Sequence, residues 1–471
     1  MSSEYVLRNF VPYLTNYEQT EICNYKHVWY LGKITTNKIM CNTQNPQLFN
    51  FGFDTEEGVY RTILNDHLAY RYQILAAIGN GFSGEVLKCY DYKTKQFVAI
   101  KVFRNKDSVL KLAKSEMKVL KALQESDKNS SANIVHMKEH FYFRNHLCIT
   151  FDLFDGDLYR VMKRKEKHRV TEDELKGYTV DILKCLQLLR KKNIVHGDLK
   201  PENILVRKKN DERQSAVTDF GGSFYTTERD KPLVFTLSYM SPELLLGKRC
   251  RTATDMWSLG CIIAELHLSQ RLFKGPDTHS IFSSIMEVLG IPPEELLADS
   301  PQRKQFFGNP RRMETKQKLR TSVATKLKSK DVYFINFIES CLEYDPKKRM
   351  TPDKALRHPW IGKNFEPKTI SRLIKDYGLA KPPPPQSRIN AVYTAMCGSI
   401  SQWPSLSCVY TGHHTERQPL STNHHHHHHH HHRSSYLRGG PAFSFFPFGL
   451  LFLAWMAITA GERSESRRGE R

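Results

Sequence analysis

The sequence has no closely spaced cysteines. Its ten cysteines are scattered along 471 residues, which argues against a disulfide framework and a paired-thiolate zinc site and fits a reducing compartment. Residues Met1 to Phe10 lack the continuous apolar run and small-residue cleavage site of a secretory leader. Acidic residues are in short supply, 49 against 70 lysines and arginines, for a formal charge of +21. Such an excess favours acidic partners. The basic residues are spread out, however, and no dedicated nucleic-acid module accompanies them. The densest stretch, 303–330, carries Arg303, Lys304, Arg311, Arg312, Lys316, Lys318, Arg320, Lys326, Lys328 and Lys330. It reads first as a solvated surface insert and second as a nuclear-import or docking patch.

What is present suits a globular enzyme: 40% hydrophobic and 11% aromatic residues, enough chain for one large or two medium domains. Residues 1–65 contain Tyr5, Tyr13, Tyr17, Tyr25, Trp29 and Tyr30, too many large rings for a disordered tail. They are expected to pack on the domain that follows, with 36–60 looser. From Tyr72 to Phe103 the text reads as strands, including the apolar run Val98 to Val102 that carries Lys101. Residues 108–124 have a helical stripe of Leu110, Ala113, Met117, Leu120 and Leu123; 146–154 read as a strand; most of the chain after Glu172 reads as helix. A small β-rich part followed by a larger α-rich part predicts an α+β fold of two lobes with a ligand cleft between them.

Pro382 to Pro385 is a stiff linker, 390–423 has little periodicity, and His424 to His432 is a histidine run without catalytic implication. Residues 441–460 (PAFSFFPFGLLFLAWMAITA) are uncharged and near membrane-spanning length. They are read either as a C-terminal anchor or as part of a non-functional extension, and the expectation for the chain is a soluble protein.

Four ordered motifs carry chemistry. Gly79-Asn80-Gly81-Phe82-Ser83-Gly84-Glu85-Val86 is a glycine loop whose backbone can approach phosphates closely. A strand bearing Lys101 follows it, where a Rossmann unit needs a helix. His196-Gly197-Asp198-Leu199-Lys200-Pro201-Glu202-Asn203 comes next, and Asp219-Phe220-Gly221 stands sixteen residues after Asn203. This series resembles the protein kinase set.

The resemblance implies a two-lobed kinase fold over 72–361 that uses ATP and Mg2+, with Mn2+ able to substitute. It implies that Lys101, braced by Glu116, pairs with the α- and β-phosphates, and that Asp198 takes or orients the substrate proton. Lys200 would steady the transferring phosphoryl group, and Asn203 and Asp219 would hold magnesium. Gly79, Gly81, Gly84, Val86, Ala99, Phe151 and Leu153 would line the ATP site. Glu243, in Ser241-Pro242-Glu243, is expected to pair with Arg349, and Asp255 to brace the catalytic loop backbone.

Further segments are similar to class II dual-specificity tyrosine-regulated kinases, the DYRK family of the CMGC group. Residues 13–32 resemble its N-terminal accessory segment, and Asn65 to Tyr72 its DH box, so that 1–71 precede the catalytic domain and 362–471 form an extension. Arg144 to Phe151 resemble the family's hinge approach, with Phe151 as a bulky gatekeeper; Met256 to Leu266 and Leu356 to Trp360 continue the likeness. The family implies serine/threonine phosphorylation of protein substrates, tyrosine autophosphorylation during maturation, and a cytoplasmic or nuclear location. Oligomeric state is not implied.

The sequence also departs from the family. Lys231 and Leu233 stand where the family has paired activation-loop tyrosines, Leu237 and Met240 replace arginines, and Gly197 replaces a cysteine that is arginine in many kinases. Phe82-Ser83 reverses the usual order. A competent kinase is the expectation, and a kinase-like scaffold of low activity is the alternative.

Overall fold

A computed structural model describes residues 1–45, 47–164, 170–209, 212–228, 235–307 and 321–362. Two short helices come first, α1 (Ser3–Asn9) and α2 (Asn16–Glu21). A capping box starts α2: the Thr15 hydroxyl accepts from the Glu18 N–H while Glu18 accepts from the Thr15 N–H.

Six antiparallel strands then form one sheet: β1 (His67–Leu68), β2 (Tyr72–Asn80), β3 (Gly84–Asp91), β4 (Gln96–Phe103), β5 (Met137–Phe143) and β6 (His146–Asp152). Their order is β1-β2-β3-β4-β6-β5. Central β4 is rich in β-branched and aromatic residues and is buried from Val98 to Phe103, as a strand with both faces covered should be. Its register sets Lys101 opposite Val86 and Ala99 opposite Phe151.

Helix α3 (Asp107–Ser126) packs beside the sheet. Its buried face is Val109, Ala113, Glu116, Val119, Leu120 and Leu123; Leu110 and Met117 of the expected stripe are only partly buried. The stripe is therefore rotated toward the β-branched positions, which places Glu116 on the inner face.

The aromatic-rich start of the chain packs on this lobe. Val6, Ile22, Val28, Leu31 and Tyr70 make a small core of their own, and Phe53 and Tyr60 join the sheet core with Leu68, Tyr72 and Ile74. Two expectations need correction. Trp29 is 41% exposed, because the extended segment there is held by backbone bonds, with the Trp29 and Tyr30 N–H groups both donating to Tyr70 O. The end of the stretch 36–60, from Asn50 on, is also tied down. Asp54 bridges Tyr60, and Asn50 donates to both Asp54 Oδ1 and Arg144 O.

The second lobe contains α4 (Leu158–Arg164), α5 (Glu172–Lys191), α6 (Pro242–Leu245), α7 (Ala253–Leu268) and α8 (Thr278–Leu289). Helix α7 is buried continuously from Thr254 to Leu266. A helix covered on all sides is the core of its lobe, and α5 and the helix Val332–Cys341 pack against it. The expected helical run is interrupted by a hairpin, Ile204–Lys209 with Glu212–Val217. Among the described residues no helix is long and apolar enough to cross a membrane. Pro382 to Pro385, the histidine run, 441–460 and the basic residues Arg311 to Arg320 lie outside the described residues.

Candidate active site

The glycine loop is the turn between β2 and β3. The Gly81 N–H donates to Gly84 O at 2.9 Å. A Cβ on Gly84 would collide with the carbonyl oxygen of Val102, so the close approach of β3 to β4 requires glycine there. Gly79 pairs with Val86 across the strands. Ala99 and Phe151 face each other in register, Leu153 lies just beyond β6, and Phe151 is partly buried against the core.

Lys101 Nζ donates to Glu116 Oε2 at 2.9 Å and to Asp219 Oδ1 at 3.2 Å. This joins β4, α3 and the Asp219-Phe220-Gly221 turn. Burial opposes the Lys101 charge, but the Asp219 and Glu116 carboxylates outweigh it and hold its pKa above the ordinary lysine value. Burial pushes the Glu116 carboxyl up against the pull of Lys101. The Lys101 charge holds the Asp219 carboxyl low. Asp219 has a left-handed backbone, φ 60°, an uncommon conformation that aspartate tolerates better than most residues. Phe220 is buried against the His196 ring at 4.9 Å.

The catalytic loop is held from beneath. Asp255 on α7 accepts the His196 N–H at 2.8 Å and the Gly197 N–H at 3.1 Å. Burial raises the Asp255 carboxyl, opposed by His196 and these two amides. His196 Nε2 faces Thr218 O while Nδ1 accepts the Asp198 N–H. A carbonyl cannot donate, so the ring proton sits on Nε2. Asp198 Oδ2 accepts Lys200 Nζ at 2.7 Å, and Asn203 Nδ2 donates to Asp198 O at 2.7 Å. With its amide nitrogen engaged, Asn203 can offer its oxygen as a ligand. Farther out, Arg349 makes two bonds to Glu243, at 2.7 and 2.8 Å, a fork that fixes the end of the activation segment.

The oxygen set of Asp219 and Asn203 fits a hard divalent cation. Lys101, Glu116 and Asp219 together bring two carboxylates to one ammonium, an arrangement that welcomes further positive charge.

Sequence reasoning did not anticipate the contacts of three groups in this neighbourhood. Thr236 Oγ donates to Asp198 Oδ1 at 2.6 Å and accepts from Lys200. Tyr239 donates to Glu265 Oε2 at 2.6 Å. Glu202 has a buried oxygen, Oε2, with no hydrogen-bond partner among the described residues. Position within the HGDLKPEN segment was the available signal for Glu202; the hydroxyl of Thr236 carries none.

Residues 72–361 match the protein kinase domain family. The chain is 39% identical to dual specificity tyrosine-phosphorylation-regulated kinase 4 of Homo sapiens, covering 78% of this chain and 72% of that protein. It is 40% identical to dual specificity tyrosine-phosphorylation-regulated kinase 2 of Drosophila melanogaster, covering 77% and 51%. It is 37% identical to a probable serine/threonine-protein kinase of Dictyostelium discoideum, covering 77% and 40%. The chain thus spans from under half to nearly three quarters of these relatives. It belongs to the dual-specificity tyrosine-phosphorylation-regulated kinase family of the CMGC group, and is an ATP-dependent protein kinase that uses a divalent metal.

Proposed function

We propose that the chain moves the γ-phosphate of ATP to serine and threonine hydroxyls of protein substrates through Lys101, Asp198, Lys200, Asn203 and Asp219. The convergence of Lys101 on both Glu116 and Asp219 supports this best, because it joins the nucleotide-side lysine to the metal-side aspartate. Lys101 would hold the α- and β-phosphates under the glycine loop. Asp198 would orient the substrate hydroxyl and take its proton as the oxygen bonds to the γ-phosphorus and the bond to the β-phosphate oxygen breaks, releasing ADP. Lys200, 2.7 Å from Asp198, would balance charge on the transferring group. Magnesium, with manganese able to replace it, would be held by Asp219 and Asn203 and neutralise phosphate charge.

Residues 1–71 serve as an accessory segment to a catalytic domain over 72–361, with 362–471 as an extension. The family likeness favours a cytoplasmic or nuclear location. Met240 offers no positive charge for the residue after the target. Labelled ATP and magnesium with a degenerate peptide library, run beside Asp198→Asn, test the proposal: label is expected on serine and threonine with the parent chain only. Equal labelling by both proteins, or none by either, would overturn it.

A further inference from the structure

A polar cleft of about 840 Å³ opens on the helical lobe, outside the ATP site. One wall is α8, whose buried face is Ile281, Phe282, Ile285 and Met286. Ser280, Ser283 and Ser284 recur at helical spacing on its other side and line the cleft. Arg271, Lys274, His279 and Lys326 add basic groups to the lining. The cleft's one carboxylate, Glu287, is already paired with Lys326 at 2.8 Å. Lys274 donates to Gln270, a neutral group. The lining therefore carries three cations, Arg271, Lys274 and Lys326, against one carboxylate, and Arg271 is offset in part by Glu265 outside the lining.

Hydroxyls on one helix face beside this excess of positive charge suit a tetrahedral dianion. The volume exceeds that of a bare phosphate and leaves room for the backbone carrying it. The cleft is also linked to the transfer site. Thr236 bonds Asp198, Tyr239 three residues later bonds Glu265, and the Arg271 charge acts on both Tyr239 and Glu265.

We propose that this cleft binds a phosphoserine or phosphothreonine already present on the protein substrate, holding it while a second hydroxyl reaches Asp198. The inference rests on the transfer site proposed above and gives it a substrate class: proteins phosphorylated beforehand by another kinase.

The test uses the full chain and peptides with one acceptor serine and a phosphoserine at stepped distances from it. At one spacing, KM is expected to fall at least tenfold below that of the unphosphorylated peptide. The double variant Lys274→Ala/Ser284→Ala should erase that difference and leave kcat on the unphosphorylated peptide unchanged. Equal KM at every spacing, an equal gain from glutamate at the same position, or competition by single-stranded nucleic acid but not by free phosphopeptide would each overturn the proposal. Turnover of the unphosphorylated peptide in those same assays shows that the transfer site itself works, so the two readings fail separately.

Discussion

The sheet-bearing lobe buries opposite charges around Lys101 and around Glu18, and these two clusters differ in access. Around Glu18 every carboxylate is engaged from within the protein. Glu18 meets Lys38 at 2.7 Å, His67 at 2.9 Å and Arg144 at 3.1 Å; Glu21 meets Arg144 and the Tyr70 hydroxyl; Asp66 accepts the His67 N–H. The Glu18 and Arg144 side chains are each 2% exposed. Glu18, Asp66 and His67 come close enough to suggest a metal site, but the Lys38 ammonium already supplies a cation there. Around Lys101 the cluster is open on one side: the Asp219 side chain is 45% accessible and is held through a single oxygen. A sealed cluster can only fasten segments together. One with an open carboxylate can take in a ligand.

The largest effect should separate these two roles. Asp198→Asn and Asp219→Asn are each expected to lower kcat by about 10³-fold or more, with Tm near that of the parent. Turnover measured beside a thermal melt checks this. A Tm loss that accounts for the lost activity would make the open cluster merely structural.

The sealed cluster should behave the other way. Arg144→Met leaves Glu18 and Glu21 short of a buried partner, at a cost of about 3–5 kcal/mol. Denaturant unfolding is expected to show that loss, and limited proteolysis to release the first 60 residues early. Unchanged stability would mean that the aromatic packing around Tyr70 and Phe53 fastens the segment without help from charge.

How far the sequence could be read follows the same division. Lys101, Glu116, Asp198, Asn203 and Asp219 were legible because each sits at a fixed place in an ordered series of loop, strand and helix. The two-lobed fold followed from the change of period between β4 and α5. The Glu18–Lys38–Arg144 cluster was not legible, since its members lie up to 126 residues apart and their types are ordinary surface types. The contact of Thr236 with Asp198 was not legible for the same reason: it spans 38 residues and depends on the path of the loop. Trp29 misled because ring content does not say which rings are covered.

A buried group outside both clusters tests whether acid sensitivity follows charge pairing or burial. His358 accepts the Trp360 N–H through Nδ1 and faces Asn336 Oδ1 through Nε2, a neutral ring. Burial pushes its pKa down to about 4. Between the ordinary histidine value and that point the unfolded chain takes up a proton and the folded chain does not, so stability falls as pH drops, by about 3 kcal/mol in all. For Glu18, burial is outweighed by His67 and Lys38, and the carboxyl lies well below its usual range. Its contribution is full above the ordinary carboxylate value and is lost only below it. Stability measured from pH 7 to pH 4 is therefore expected to decline chiefly through His358, and His358→Gln to flatten the slope. An unchanged slope would point elsewhere.

The smallest expected effect is on the activation loop. Lys231 and Leu233 stand at the family's tyrosine positions, and neither can mimic a phosphotyrosine dianion. Both lie outside the described residues. From Phe235 onward the loop is held by apolar contact and by the bonds of Thr236 to Asp198 and Lys200. Phe235 packs with Val195, Phe224, Leu244 and Cys250, and Leu237 packs on the helical lobe's core. Gly197 has φ +85°, and a Cβ placed there would come within 3.1 Å of Gly222 O and 3.6 Å of both the Phe224 and Phe235 rings. Any side chain at this position would be strained, and the phosphate-receiving arginine of many kinases is absent here. Phosphatase treatment is expected to change serine or threonine phosphorylation by less than about twofold, and peptides with proline after the target should gain little over those without it. Activity lost on treatment and regained only with phosphate on Tyr225, Thr226, Thr227 or Thr236 would mean that the switch has moved along the loop. In that case the rings would be a resting place for the loop and would not be what holds it active.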